Sequence, residues 1–264
     1  MAFARIKGRL VHWSDYGPRG APCVVMVNSL GTDLRIWDEV ASALSSGWRV
    51  IAYDKRGHGL SATDAGPYSI SDLADDLLAL DDHLDIERFA LVGLSIGGMI
   101  GQVLGARSPE RLSALVLADT APKVGTPDSW TERIQAIERG GLEAIAGPVM
   151  ERWFTPGFRA AEADKVSGWR NAFVLQSADG YIATCKALRA ADLTTHVAGI
   201  SVPTLVVVGD SDLATPPELV EAMALKIPRA RFEIIDECGH IPPIEQPERL
   251  SKLVSGHLKE HGHG

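Results

Sequence analysis

The chain has 264 residues, 45% of them hydrophobic and 23% charged, which is enough to bury a sizeable core without disulfides or a structural metal. Its formal net charge of -8 argues against a nucleic-acid phosphate backbone as partner. Three cysteines, Cys23, Cys185 and Cys238, are too few and too scattered for a disulfide framework.

The N-terminal MAFARIKGRLVHW lacks the apolar stretch of a signal peptide, and no apolar run is long enough to span a membrane. A cytoplasmic protein is therefore expected. Residues around Ile6 to Trp13 read as an antiparallel ribbon leading into a sheet. Short valine- and isoleucine-rich runs then recur at Cys23–Val27, Arg49–Tyr53, Phe89–Val92, Ala114–Leu117, Thr204–Val208 and Phe232–Ile235. They do not alternate apolar with polar, so they are expected to be strands covered on both faces of a parallel sheet. Between two of them, Ile70, Leu73, Leu77, Leu80 and Leu84 recur three or four apart and predict an amphipathic helix, with Ser71 as its cap. Strands alternating with helices imply a doubly wound α/β architecture, a mostly parallel central sheet flanked by helices.

Residues 122–190 break that rhythm: they carry helical signals and no strand, with Trp130, Trp153, Phe154, Phe158, Trp169 and Phe173 among them. One crossover needs only one helix, so this stretch is expected to be a helical lid inserted into a core formed by 1–121 and 191–264. PERLSKLVSGHL near the end repeats the helical pattern, and the tail HLKEHGHG, with His257, His261 and His263, is expected to fray, without a metal site.

Gly93-Leu94-Ser95-Ile96-Gly97 has the pattern G-x-S-x-G between a strand and a helix. There a sharp turn would display the serine hydroxyl, flanking glycines would relieve crowding, and the helix N-terminus would offer N–H groups to a developing oxyanion. The bland alternative is a plain helix cap. A serine needs a base, and functional groups collect at the carboxyl ends of parallel strands. His240, in DECGHIPP after the last strand, is the favoured base, with Gly239 expected to tighten its turn and His58, in YDKRGHG, as the rival. Asp212, in GDSDLATPPE, is the favoured acid; Asp119 is the rival strand-end carboxylate, and Asp210 is expected to shape the turn. The oxyanion donors expected are the N–H groups of Ile96 and of Leu30, the latter in NSLGTD with Gly31 freeing the loop. Trp153 is expected to touch substrate, core packing being the competing role.

NSLGTDLRIW, YDKRGHGLS, GLSIGGMIGQ, ERWFTP and GHIPPIEQPE make the chain resemble the α/β-hydrolase superfamily over its whole length, and within it the 3-oxoadipate enol-lactonases. Many hydrolases begin the oxyanion loop with His-Gly; Asn28 and Ser29 stand there instead and suit the lactonase subgroup. The resemblance implies hydrolysis of the lactone ring of 3-oxoadipate enol-lactone in aromatic catabolism, with a small-molecule substrate and no cofactor. Arg133, Arg152, Lys186 and Arg189 are candidates to meet the substrate carboxylate, none of them singled out. Rival readings are a small-ester esterase or carbon–carbon bond hydrolase of the same fold, and a ligand receptor built on it.

Overall fold

A computed structural model describes residues 1–63 and 66–262. Eight strands form one sheet: β1 (Ala2–Ile6), β2 (Arg9–Tyr16), β3 (Cys23–Val27), β4 (Arg49–Asp54), β5 (Phe89–Leu94), β6 (Leu112–Ala118), β7 (Thr204–Gly209) and β8 (Arg231–Ile235). Their spatial order is β1-β2-β4-β3-β5-β6-β7-β8. The ribbon β1–β2 is antiparallel, β2 joins β4 antiparallel, and every later pairing is parallel. The helices are α1 (Asp38–Leu44), α2 (Ile70–His83), α3 (Ile96–Arg107), α4 (Pro127–Gly140), α5 (Glu143–Trp153), α6 (Pro156–Ala161), α7 (Ala163–Val174), α8 (Ala178–Ala190), α9 (Pro217–Ala224), α10 (Pro242–Glu245) and α11 (Pro247–Glu260). Among the described residues none is long and apolar enough to cross a membrane.

All residues of β3, β4, β5 and β7 are buried, as expected of strands covered on both faces. The last strand differs: β8 is at the sheet edge and only Ile235 of its five residues is buried. Its unpaired side faces no further strand, so polar Arg231 and Glu233 are tolerated there and pair with each other. The cap of α2 is Ser69, two residues before the expected Ser71. Ser69 Oγ accepts from the N–H of Asp72 while the Asp72 carboxylate accepts from the Ser69 N–H, a reciprocal box that fixes the start at Ile70.

Five helices, α4 to α8, lie between β6 and β7. Their aromatic side chains pack on one another: Trp153 meets Phe154 and Phe173 edge-on, and Phe173 meets Tyr181 edge-on. The expected frayed tail is instead helical to Glu260, and His257 is buried with Nε2 against the Pro203 carbonyl at 3.3 Å. Leu250, Leu253, Val254 and Leu258 share its face, and this apolar stripe docks α11 against α1. His261 follows the helix and His263 lies outside the described residues.

Candidate active site

Parallel strands end along one edge of the sheet, so the loops after β3, β5, β7 and β8 meet there. Ser95 follows β5 directly and stands at φ 57°, ψ -115°, a strained conformation for a residue with a side chain. The strain is held from two sides: the Ser95 N–H donates to Ala118 O at 2.9 Å, and Thr120 Oγ1 donates to Ser95 O at 2.7 Å. Its hydroxyl makes no cap bond to α3, so the reading as a plain helix cap does not hold. The turn demands a glycine at 97, because a Cβ there would sit 2.2 Å from the Val27 carbonyl oxygen.

His240 and Asp212 meet in the interior: Nδ1 lies 2.8 Å from Asp212 Oδ2, and both side chains are buried. The second carboxylate oxygen of Asp212 accepts the N–H groups of Ala214 and Thr215, and Thr215 Oγ1 donates to Oδ2 at 2.6 Å. Burial opposes a charge on Asp212, but the imidazole and these donors outweigh it and hold the carboxyl below its ordinary pKa. The loop bearing His240 is pinned from three directions. Asp210 accepts from the N–H groups of Glu237 and Cys238, which is the turn-shaping role expected of it. Glu245 accepts from Gly239 N–H at 2.9 Å, and the His240 N–H donates to Trp153 O at 2.9 Å. The tight turn is made by Glu237, at φ 53°, and not by Gly239. Gly239 is needed for close approach instead, since a Cβ would lie 2.6 Å from Trp153 O.

The rival residues occupy other roles. His58 is buried with Nδ1 against Arg56 O at 3.1 Å, away from the cavity that Ser95 and His240 line. Asp119, at φ 46°, accepts from Gly209 N–H and lies beside Asp212. Burial first, and the Asp212 charge second, push its carboxyl well above the usual range, whereas Asp212 is held below it. Ligand atoms of Asp119, Asp212 and His240 lie within 4.8 Å of one another, which is metal-like spacing. A cation would have to displace Nδ1 from Asp212, with one oxygen of each carboxylate already taken by backbone N–H groups.

Ser95 and His240 line one cavity of about 390 Å³, together with Ser29, Leu30 and residues of α4, α5 and α8. Among the described residues the N–H groups of Leu30 and Ile96 donate to no protein acceptor. Gly31 is left-handed at φ 77°, as the loop requires. Trp153 lines the cavity and is also packed in the core. Of the four cationic candidates, Arg133 and Arg152 line the cavity; Lys186 is exposed elsewhere and Arg189 bonds Thr131. Arg133 donates to Tyr181 Oη at 3.2 Å and stacks over Trp130. Partial burial, and then the charge of Arg133, lower the Arg152 pKa from its usual value. Glu132 is the one carboxylate in the lining, which leaves it net positive.

A larger cleft of about 690 Å³ lies elsewhere, with a second buried imidazole–carboxylate pair, His12 Nδ1 to Asp54 Oδ2 at 2.7 Å. There the adjacent Ser61 Oγ donates to Asp54 O and accepts from His12 N–H, so its hydroxyl is spent on main chain. Asp54 also accepts from Leu34 and Leu60 N–H groups, which makes this pair a clamp between loops. Sequence reasoning missed Glu245 and Lys55. Glu245 stands six residues after Gly239, and its carboxylate ties that loop to Thr155 N–H. Lys55 is buried with Nζ 2.5 Å from Ser29 O.

A family model described as alpha/beta hydrolase fold matches residues 22–247. The 3-oxoadipate enol-lactonase 2 of Acinetobacter baylyi is 35% identical over 249 residues, covering 94% of this chain and 93% of that protein. A putative carbamate hydrolase of Rhizobium rhizogenes is 28% identical over 247 residues, covering 90% of this chain and 93% of that protein. The crystal structure of the enol-lactonase from Burkholderia xenovorans LB400 superposes with a TM-score of 0.95 at 38% identity, covering 98% of this chain and all (100%) of that one. The chain belongs to the α/β-hydrolase family, and within it is similar to the enol-lactonases.

Proposed function

We propose that this protein is a serine hydrolase that opens the ring of 3-oxoadipate enol-lactone, with Ser95 as nucleophile, His240 as base and Asp212 as the acid that orients it. One observation carries the reading: a strained serine and a carboxylate-bound imidazole open onto the same cavity as two guanidiniums. His240 Nδ1–H donates to Asp212, which leaves Nε2 unprotonated and able to take the Ser95 proton. Ser95 Oγ attacks the lactone carbonyl, and the N–H groups of Leu30 and Ile96 receive the oxyanion. Collapse breaks the ring C–O bond and expels an enolate, which takes the proton from His240 and tautomerises to the ketone. A water molecule, deprotonated by His240, then attacks the acyl-enzyme, and Ser95 leaves with that proton. The steps balance with water alone. Arg133 and Arg152 support a substrate with a free carboxylate, since a net-positive, partly enclosed lining concentrates an anion. The three cysteines are unbridged and buried, which supports a cytoplasmic setting.

The test is purified protein assayed against the enol-lactone beside uncharged aryl esters. The lactone is expected to have the higher kcat/KM by an order of magnitude or more. A preference for aryl esters would move the assignment to an esterase of the same fold, and absence of turnover with a reactive Ser95 would favour a receptor.

A further inference from the structure

We propose that Lys55 is a positioning residue that aims the oxyanion donor, the N–H of Leu30, by holding the carbonyl of Ser29. The inference rests on Ser95 acting as nucleophile, and it goes beyond that reading by giving a function to a buried charge outside the cavity.

The Ser29–Leu30 peptide is trans, so its C=O and N–H point in opposite directions from one rigid plane. Ser29 O is gripped by Lys55 Nζ at 2.5 Å, by Thr32 Oγ1 at 3.0 Å and by Thr32 N–H at 3.4 Å. All three donors draw the oxygen into the protein, since Lys55 and Thr32 are both buried. The Leu30 N–H is thereby turned the other way, where Ser29 and Leu30 line the cavity with Ser95. A donor on the carbonyl also polarises the amide and strengthens its N–H as a donor.

Lys55 is costly where it is. It is fully buried, and burial lowers its pKa well below the usual lysine value, with Asp54 and Asp33 acting the other way. No carboxylate bonds it directly among the described residues; its recorded bond is to Ser29 O. A carbonyl oxygen has two lone pairs, and Thr32 alone already supplies two donors. Satisfying Ser29 O therefore does not require a lysine, whereas fixing the direction of this peptide plane is aided by a third donor from a different element. An amine donates whether or not it is charged, so the grip survives the lowered pKa.

The experiment compares Lys55→Met with the parent protein on p-nitrophenyl acetate and on its thiono counterpart, in which C=S replaces C=O. Sulfur is a weak acceptor, so oxyanion donors favour the oxygen ester, and the ratio of the two kcat values reports their aim. Removal of a whole donor costs about a hundredfold or more. Misaiming one is expected to lower the oxygen-ester kcat by roughly ten- to a hundredfold, leave KM nearly unchanged, and shrink the oxygen-to-sulfur ratio. Thr32→Val is expected to shift the ratio the same way, and the double variant to lose less than the product of the two, because both act through one carbonyl. An unchanged ratio in Lys55→Met, or equal losses on both esters, overturns the proposal. If Lys55→Met does not fold, an unchanged ratio in Thr32→Val overturns it. Labelling of the parent by a fluorophosphonate at Ser95 is scored separately: failure there removes the nucleophile itself, and with it the basis of the Lys55 role.

Discussion

Asp212→Asn separates the two carboxylates beside His240. The four hydrogen bonds around Asp212 dictate what an amide does there. One oxygen accepts two backbone N–H groups, from Ala214 at 2.7 Å and Thr215 at 3.2 Å, and these donors cannot reverse. The amide oxygen must take that place. Its NH2 then occupies the Oδ2 position, facing Thr215 Oγ1 and His240 Nδ1. A hydroxyl can turn round and accept, but the imidazole can accept only by moving its proton to Nε2, where it can no longer take a proton from Ser95. The expected loss in kcat is on the order of 10⁴, or about 5 kcal/mol of barrier. Asp119→Asn is the control. The raised pKa of Asp119 favours its neutral acid, which an amide matches in shape, so the expected loss is within about tenfold. Steady-state hydrolysis of p-nitrophenyl acetate measures both, with circular dichroism to confirm folding. If Asp119→Asn costs more than Asp212→Asn, or if Asp212→Asn keeps more than about a tenth of the parent rate, the assignment of the acid is wrong.

Ser95→Ala is expected to lower kcat about a thousandfold or more and to abolish the fluorophosphonate adduct seen by intact mass; turnover near the parent rate would take Ser95 out of the mechanism. Gly97→Ala places a Cβ 2.2 Å from Val27 O in a turn with no slack, so a loss of about 3 kcal/mol and a Tm lower by roughly 6–12 °C are expected by calorimetry. Arg152→Met is expected to raise KM for the carboxylate-bearing lactone by about tenfold while sparing p-nitrophenyl acetate, and equal effects on both would deny it a part in reading charge. Burial, then His261, bring the His257 pKa from 6.5 down to about 4, so the unfolded chain takes up the proton first and stability is lost as pH falls across that interval. His257→Leu is expected to flatten Tm against pH there, and an unchanged slope would place the acid sensitivity in other groups.

What could be read from the sequence follows from how each element is stabilised. β3, β4, β5 and β7 are buried throughout, so their runs of valine and isoleucine carry an unmixed signal. β8 shows less of itself because an edge strand is selected for pairing on one side only, and three of its five residues are partly or fully exposed polar or aromatic side chains. Most of α11 is legible in PERLSKLVSGHL; its last turn is masked by histidines that look like tail composition, although His257 lies on the same face as Leu253, Val254 and Leu258. The placement of Ser95, Asp212 and His240 beside one cavity was legible because strand ends are. Lys55 and Glu245 were not, since their partners are backbone groups, Ser29 O and Gly239 N–H, which leave no pattern in side-chain identity.

Distance explains why those silent residues matter to the visible ones. Neighbouring strands lie about 4.8 Å apart, so β8 is three spacings, or about 14 Å, from the strand that carries Ser95. An imidazole at the end of β8 could not span that gap, and the loop after Ile235 must fold back across β7 to bring His240 to the cavity. A loop so displaced has few strand partners, so it needs its own anchors. Asp210 holds its start and Glu245 its middle, and Trp153 O holds His240 itself. Glu245 also accepts from Thr155 N–H, at the junction of α5 and α6. His240 is thus positioned jointly by the sheet and by the inserted helices, which ties its geometry to the wall of the cavity that would meet substrate.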